Sequence, residues 1–314
     1  MKLSDIVDYY NFISALDIKI ECAETTRRLE AISHVIENHP IRLKNYTKEV
    51  TDYLDGMNNQ FNQFSELLHR LKQELKQIIL EQEPSYLQTS QRIFDHEMVQ
   101  EDYNHVLNRH LVIDDHSNIK LRSKLRNLSD WHLPGLIFRP ALENFVEDMV
   151  PLDPLYLVDE HQDLLTPAVK KFTYEYQQRL RRYVINDRQP DTILGQLPDS
   201  QFGVVFAYNY FNFKPLDVLY RYLREIAIKL RPGGTLIMTY NNCDRAHGIA
   251  LAERGWMLYQ PKRLIELYLE KVGLELVEAH DGLGDLSWLE IRKPGNISSL
   301  RGGQTLAKIV AITN

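Results

Sequence analysis

The residues of this chain with the means to do chemistry gather at the ends of short apolar runs in its second half. The run Leu155-Tyr156-Leu157-Val158 ends on Asp159. A carboxylate at the end of a strand would accept hydrogen bonds from ribose hydroxyls; its plainer reading is an acid in a solvated loop. A second run, 183–185, ends on Asn186 and Asp187, both of which also favour turns. A third, 202–208, ends on Tyr208, followed by Asn209 and Tyr210, and amides and phenols of this kind can line a polar pocket. After 235–240 come Asn241, Asn242, Cys243, Asp244, Arg245 and His247. His247 has the chemistry of a general base, and Cys243 that of a nucleophile if its thiol is activated. A structural or surface role is the plainer reading for both, and no catalytic set is legible. Four histidines, His96, His105, His110 and His116, lie among Asp95, Asp102, Asp114 and Asp115. Their spacing fits no metal motif, and surface histidines are the expectation.

Elements that would position these residues follow from the pattern around them. After Trp131, short apolar runs alternate with amphipathic stretches, the signature of a parallel sheet with crossover helices. Strands are predicted at 135–138, 155–158, 183–185, 202–208, 235–240, 274–279, 287–292 and 307–312. Helices are predicted at 142–149, 167–182, 215–230 and 261–272. In an open sheet of this kind, ligands sit beyond the carboxyl ends of the strands, where strand order reverses. Those are the ends that carry Asp159, Asn186, Asp187, Tyr208 and Asn209.

One segment makes the pattern specific. A helix that ends in Leu230-Arg231-Pro232-Gly233-Gly234 and runs straight into Thr235-Leu236-Ile237-Met238-Thr239-Tyr240 resembles the approach to the fifth strand of class I S-adenosylmethionine-dependent methyltransferases. The following helix, and a hairpin carrying Asp281-Gly282 and Gly284-Asp285, resemble that fold's antiparallel last strands. The resemblance covers about 133–292 and extends to methyltransferase-like proteins of tailed phages that carry a helical arm. It implies an α/β, Rossmann-like seven-stranded sheet and S-adenosylmethionine as cofactor, with Asp159 as the ribose-binding carboxylate. It places Asn186 or Asp187 near the adenine, with Tyr208 and Asn209 also in the cofactor site. The family has a glycine-rich turn after its first strand; here the turn reads Arg139-Pro140-Ala141-Leu142-Glu143-Asn144 and has no glycine. Proline lacks an amide donor, and side chains restrict close backbone approach. Arg139 or Glu143 would then grip the carboxylate or amine of the cofactor.

The front of the chain is of a different kind. Gly56 is the only glycine before Asp130, a composition of long helices. One helix is predicted from Ser4 or Asp5 to Asn38. A second carries Leu54, Met57, Phe61, Phe64, Leu68, Leu71, Leu75 and Ile78 in alternating steps of three and four, an a/d seam that ends near Glu83-Pro84. The seam serves either a hairpin within the chain or a coiled coil between chains. A polar, helix-prone connector follows, so the domains expected are 1–130, a helical arm, and 131–314, the α/β domain.

Composition bounds the rest. A hydrophobic fraction of 44% with 25% charged residues is that of a soluble globular protein, and a net charge of −6 gives no indication of nucleic-acid binding. The two cysteines lie far apart and fit a reducing compartment, and no apolar run reaches membrane-spanning length. The expectation is a cytoplasmic protein (host cytoplasm or virion if phage-encoded). Two functions remain: a diverged methyltransferase of unknown substrate, and a catalytically inactive structural protein that uses the arm to form a homo-oligomer or a larger assembly.

Overall fold

The structure is a computed structural model and describes residues 2–21, 34, 47–97, 115–140, 145–188, 192–281, 284 and 286–296. The chain divides into two compact units, Met1–Ser85 and Tyr86–Asn314. The second unit thus takes in residues 86–130, which the sequence reading assigned to the arm.

In the first unit, helix α1, Leu3–Glu21, buries Leu3, Ile6, Val7 and Ile13 along one stripe. The rest of the predicted first helix lies outside the described residues, His34 excepted. Helix α2, Thr47–Glu97, is continuous over the seam and does not stop at Pro84, which sits inside it. Only part of the seam is covered. Leu68 and Leu75 are buried, whereas Phe64 and Leu71 are 48% and 39% exposed. The covered face runs through Phe61, Ser65, Leu68, Lys72, Leu75, Ile78 and Ile79, and among the described seam positions it leaves Phe64 and Leu71 open. The side chains of Leu54 and Met57 lie outside the described residues.

The second unit is built on helix α3, Asp115–Leu128, and a sheet of seven strands: β1 Gly135–Phe138, β2 Leu155–Asp159, β3 Leu180–Val184, β4 Phe202–Ala207, β5 Leu230–Tyr240, β6 Glu275–Asp281 and β7 Ser287–Arg292. Their order is β3-β2-β1-β4-β5-β7-β6, with β7 antiparallel to both neighbours and the other pairings parallel. β1, β2 and β4 are buried at every position, as strands covered on both faces must be, and they read as unbroken apolar runs. The edge strand β3 keeps only Leu180 buried. Helices α4 Gln162–Lys170, α5 Tyr174–Gln177, α6 Leu216–Lys229, α7 Ala246–Glu253 and α8 Lys262–Val272 complete the unit. One core gathers around Phe138, Tyr210, Tyr222 and Leu289, the other around Phe145, Phe206, Trp288 and Leu125. This is an α/β, Rossmann-like sheet of the methyltransferase type, preceded by helices.

Several boundaries differ from expectation for physical reasons. The helix predicted over 167–182 is two short ones, and β3 starts at Leu180, earlier than periodicity suggests. The predicted helix at 142–149 is a 3-10 turn over Phe145–Met149, with 141–144 outside the described residues. Arg231-Pro232-Gly233-Gly234 belongs to β5 and does not cap α6. Gly234 is needed there, because a Cβ would lie 2.7 Å from the Phe202 carbonyl oxygen. Carbonyls at the end of α6 and the start of β5 share a partner: Lys293 Nζ donates to Ala227 O at 2.6 Å and to Leu230 O at 2.7 Å. α8 closes as the sequence suggests, with Gly273 left-handed at φ 72° and its N–H donated to Glu270 and Leu269. The predicted strand 307–312 lies outside the described residues. Among the described residues, no helix is long and apolar enough to cross a membrane.

Candidate functional site

Strand order reverses at β1: the chain leaves it for β2 on one side and returns to β4 on the other. A crevice forms beyond the carboxyl ends of such a pair. The two residues that leave the central strands there are both held in the left-handed region, Arg139 at φ 51° and Asn209 at φ 48°. For a non-glycine residue this costs on the order of 1 kcal/mol, and such strain clusters at sites of function.

Arg139 follows β1 directly and extends its ladder by one bond, its N–H donated to Val158 O at 2.8 Å. Its side chain is buried. Arg139 Nε lies 3.7 Å from Asp159 Oδ2, and the guanidinium carbon lies 5.1 Å from the centre of the Tyr210 ring. Asp159 closes β2 and is wholly buried. Its Oδ1 accepts the His161 N–H at 3.0 Å, the local turn an aspartate favours. Its Oδ2 has no hydrogen-bond partner among the described residues. Burial raises the Asp159 carboxyl above the ordinary value, against the pull of Arg139.

The next residue, Glu160, has the opposite fate. Burial would raise it too, but Lys214 and then Arg139 outweigh burial and hold it at about 2. Glu160 pairs with Lys214 and accepts the Tyr210 hydroxyl at 2.6 Å. Lys214 Nζ also lies 2.7 Å from Asp187 Oδ2. The Tyr210 and Tyr222 hydroxyls are 2.7 Å apart, and Tyr222 donates to Asp187 at 3.3 Å. Burial raises Asp187, since the charge of Lys214 is shared with Glu160. Burial would lower Lys214, but Glu160 and Asp187 outweigh it and raise it. Four buried ionisable groups with displaced proton affinities, Asp159, Glu160, Asp187 and Lys214, at a switch point mark a candidate site on physical grounds.

Of the residues proposed from sequence, Arg139, Asp159 and Asp187 come together here. Asn209 stands at the same strand end, its N–H donated to Thr239 Oγ1 at 2.7 Å and its side-chain oxygen accepting from Asn212 at 2.9 Å. Asn186 is exposed and serves its own turn, accepting the Arg188 N–H at 3.0 Å. Tyr208 packs on the other face of the sheet, 4.6 Å from the Phe145 ring. Glu143 lies outside the described residues. Cys243 is buried, and burial drives its thiol up, away from nucleophilic use. His247 is exposed. Of the histidine-rich connector, His96 and His116 are exposed, and His105 and His110 lie outside the described residues. Among the described residues, no group of three or more metal-ligating side chains occurs.

The sequence reading missed Glu160, Lys214 and Tyr222. Glu160 is adjacent to Asp159, a usable signal. Lys214, in Phe211-Asn212-Phe213-Lys214-Pro215, reads as a solvated loop lysine, and nothing local betrays its burial.

Tested against S-adenosylmethionine, Asp159 fits: its buried carboxylate oxygen lacks a donor of the kind that a ribose hydroxyl would bring. The other end departs from the family pattern, since a buried guanidinium stands where the glycine-rich turn would begin.

No protein-family model matches the chain, and no curated protein matches it. Solved structures do match. A S-adenosylmethionine-dependent methyltransferase from Clostridium acetobutylicum is 14% identical, with a TM-score of 0.43 over 63% of this chain and 94% of that one. The N-methyltransferase NodS from Bradyrhizobium japonicum is 16% identical, with a TM-score of 0.43 over 58% and 98%. A methyltransferase described as putative, from Bacillus halodurans, is 15% identical, with a TM-score of 0.43 over 55% and 98%. The fold assignment rests on the strand order above, and function must be argued from the site.

Proposed function

We propose that the second unit is a diverged S-adenosylmethionine-dependent methyltransferase, with the cofactor seated at the carboxyl ends of β1, β2 and β4. The observation that carries this reading is Asp159: a buried carboxylate whose Oδ2 lacks a hydrogen-bond partner among the described residues, at the strand end where a ribose binds in an open α/β sheet. Ribose hydroxyls donate to it, Asp187 stands towards the adenine side, and Asn209 borders the crevice from β4. When bound, the cofactor supplies an electrophilic methyl group. Calorimetric titration with S-adenosylmethionine and its demethylated product tests this. The wild type should bind, and Asp159→Ala should weaken binding by about 1.5–3 kcal/mol, the range for a hydrogen bond to a charged group. Absence of a binding heat at millimolar ligand would overturn the assignment.

A second reading has its own observation. Phe64, Leu67 and Leu71 are 48%, 55% and 39% exposed on one flank of α2. An apolar flank of this kind suits an inactive structural component, such as a virion part, held in a homo-oligomer through its arm. Light scattering on the full chain and on the Phe64→Asp/Leu71→Asp variant checks it. An assembly that dissociates in the variant supports the reading, and a wild type that stays monomeric at high concentration removes it.

A further inference from the structure

Position 139 sets backbone against side chain. Its φ of 51° lies in the left-handed region, where glycine sits without penalty and arginine does not. The long side chain nevertheless turns inward and is 4% exposed. There it meets the two groups that define the ribose end: Asp159 Oδ2 at 3.7 Å and the face of Tyr210 at 5.1 Å. The first separation is too long for a hydrogen bond, so the guanidinium covers the carboxylate without satisfying it. Asp159 is itself wholly buried, with Arg139 against its free oxygen.

The geometry points to Arg139 as an internal closure of the crevice: its guanidinium holds the place beside Asp159 that the hydroxyls of a ribose-bearing ligand take, so the Arg139–Asp159 pair and the bound ligand exclude one another. This rests on the reading of the crevice as a nucleoside site. Arg139 also helps hold Glu160 ionised, and when it leaves, Lys214 and the Tyr210 hydroxyl remain on Glu160. Ligand entry therefore displaces the Arg139 side chain, while the Glu160–Lys214 and Lys214–Asp187 pairs persist.

The test uses the full chain, with S-adenosylhomocysteine as the probe in calorimetric titration. Arg139→Gly removes the guanidinium and suits the backbone, and Arg139→Lys keeps a charge with a shorter reach. A closure that leaves one molecule in ten open lowers apparent affinity about tenfold, so Arg139→Gly should bind about tenfold or more tightly than wild type. Arg139→Lys should fall between the two. Should Arg139→Gly not fold, as judged by its thermal transition, Arg139→Asn carries the same comparison, because asparagine also tolerates a left-handed φ. Equal or weaker binding by the glycine variant overturns the closure and leaves the methyltransferase reading standing. Binding by the glycine variant alone upholds the closure and overturns that reading for the natural chain. Failure of both proteins to bind overturns both.

Discussion

Two regions of the sheet unit bury acids, and they treat them differently. Where α3 lies along the unit, each acid is met by two cations that keep access to water. Asp148 is gripped by Arg122 at 2.5 Å and Arg126 at 2.6 Å, with side-chain exposures of 26% and 66%. Glu278 faces both Lys120 and Lys124, and Lys124 also lies 2.5 Å from the buried Glu290. At the carboxyl ends of β1, β2 and β4, three acids share two cations, all nearly inaccessible, and one carboxylate oxygen of Asp159 is left without a hydrogen bond. The first arrangement fastens a helix. The second keeps an unsatisfied acceptor, together with two left-handed residues, where a ligand would sit. The cations of the clamp reach water, whereas Arg139 and Lys214 do not, and that burial separates the site from the clamp.

The largest effect that would break this contrast is expected at Lys214. Lys214→Met leaves Glu160 and Asp187 facing each other in a buried space and should cost about 3–5 kcal/mol of stability, the range for stripping a buried pair of one partner. Urea denaturation measures it, and a loss below that of the α3 clamp would invert the comparison. Asp148→Ala should cost less, about 1–2 kcal/mol, because the arginines it frees reach solvent.

The adjacent acids Asp159 and Glu160 sharpen the contrast further. Glu160 is held down to about 2 in the folded chain, so it stabilises above its unfolded value of 4.5 and loses that contribution as pH falls towards 2. Glu160→Gln should therefore be less stable than wild type at pH 7, with the gap closing on acidification. The Asp159 carboxyl is raised above its usual 3.8, so its favourable contribution is present below that value and lost as pH rises through the folded one. Asp159→Asn should accordingly be as stable as wild type at pH 3 and more stable at pH 7. Denaturant melts of the two variants from pH 3 to pH 7 check both signs, and a loss of stability in Asp159→Asn at neutral pH would make Asp159 a structural acid like its neighbour.

What was legible in the sequence followed from how many residues share a signal. Fully buried strands such as Val204-Val205-Phe206 write their burial into every position, and Gly273 marks the end of α8 because only a left-handed residue fits there. Asp159 was legible because a strand end beside a strand-order switch is a place that topology gives to ligands. The partners that make the site were not. Lys214 is buried by elements far from it in sequence, and its ion pair with Glu160 spans 54 positions. The seam of α2 shows the complementary failure: its heptads announce apolar residues, but not that Leu68 and Leu75 would be covered while Phe64 and Leu71 stay open. A stripe read from spacing gives the helix, and only the partner decides which flank is used.

The central claim is that Asp159 is a buried acid awaiting a hydrogen-bond donor, and the carboxyl carbon resonance of Asp159, followed against pH with and without S-adenosylhomocysteine, tests it most directly. The free protein should titrate at Asp159 above the usual aspartate value of 3.8, and saturating ligand should move that midpoint down, because hydroxyl donors favour the ionised carboxylate. A midpoint at or below 3.8 in the free protein, or one that ligand leaves unmoved, would contradict the account.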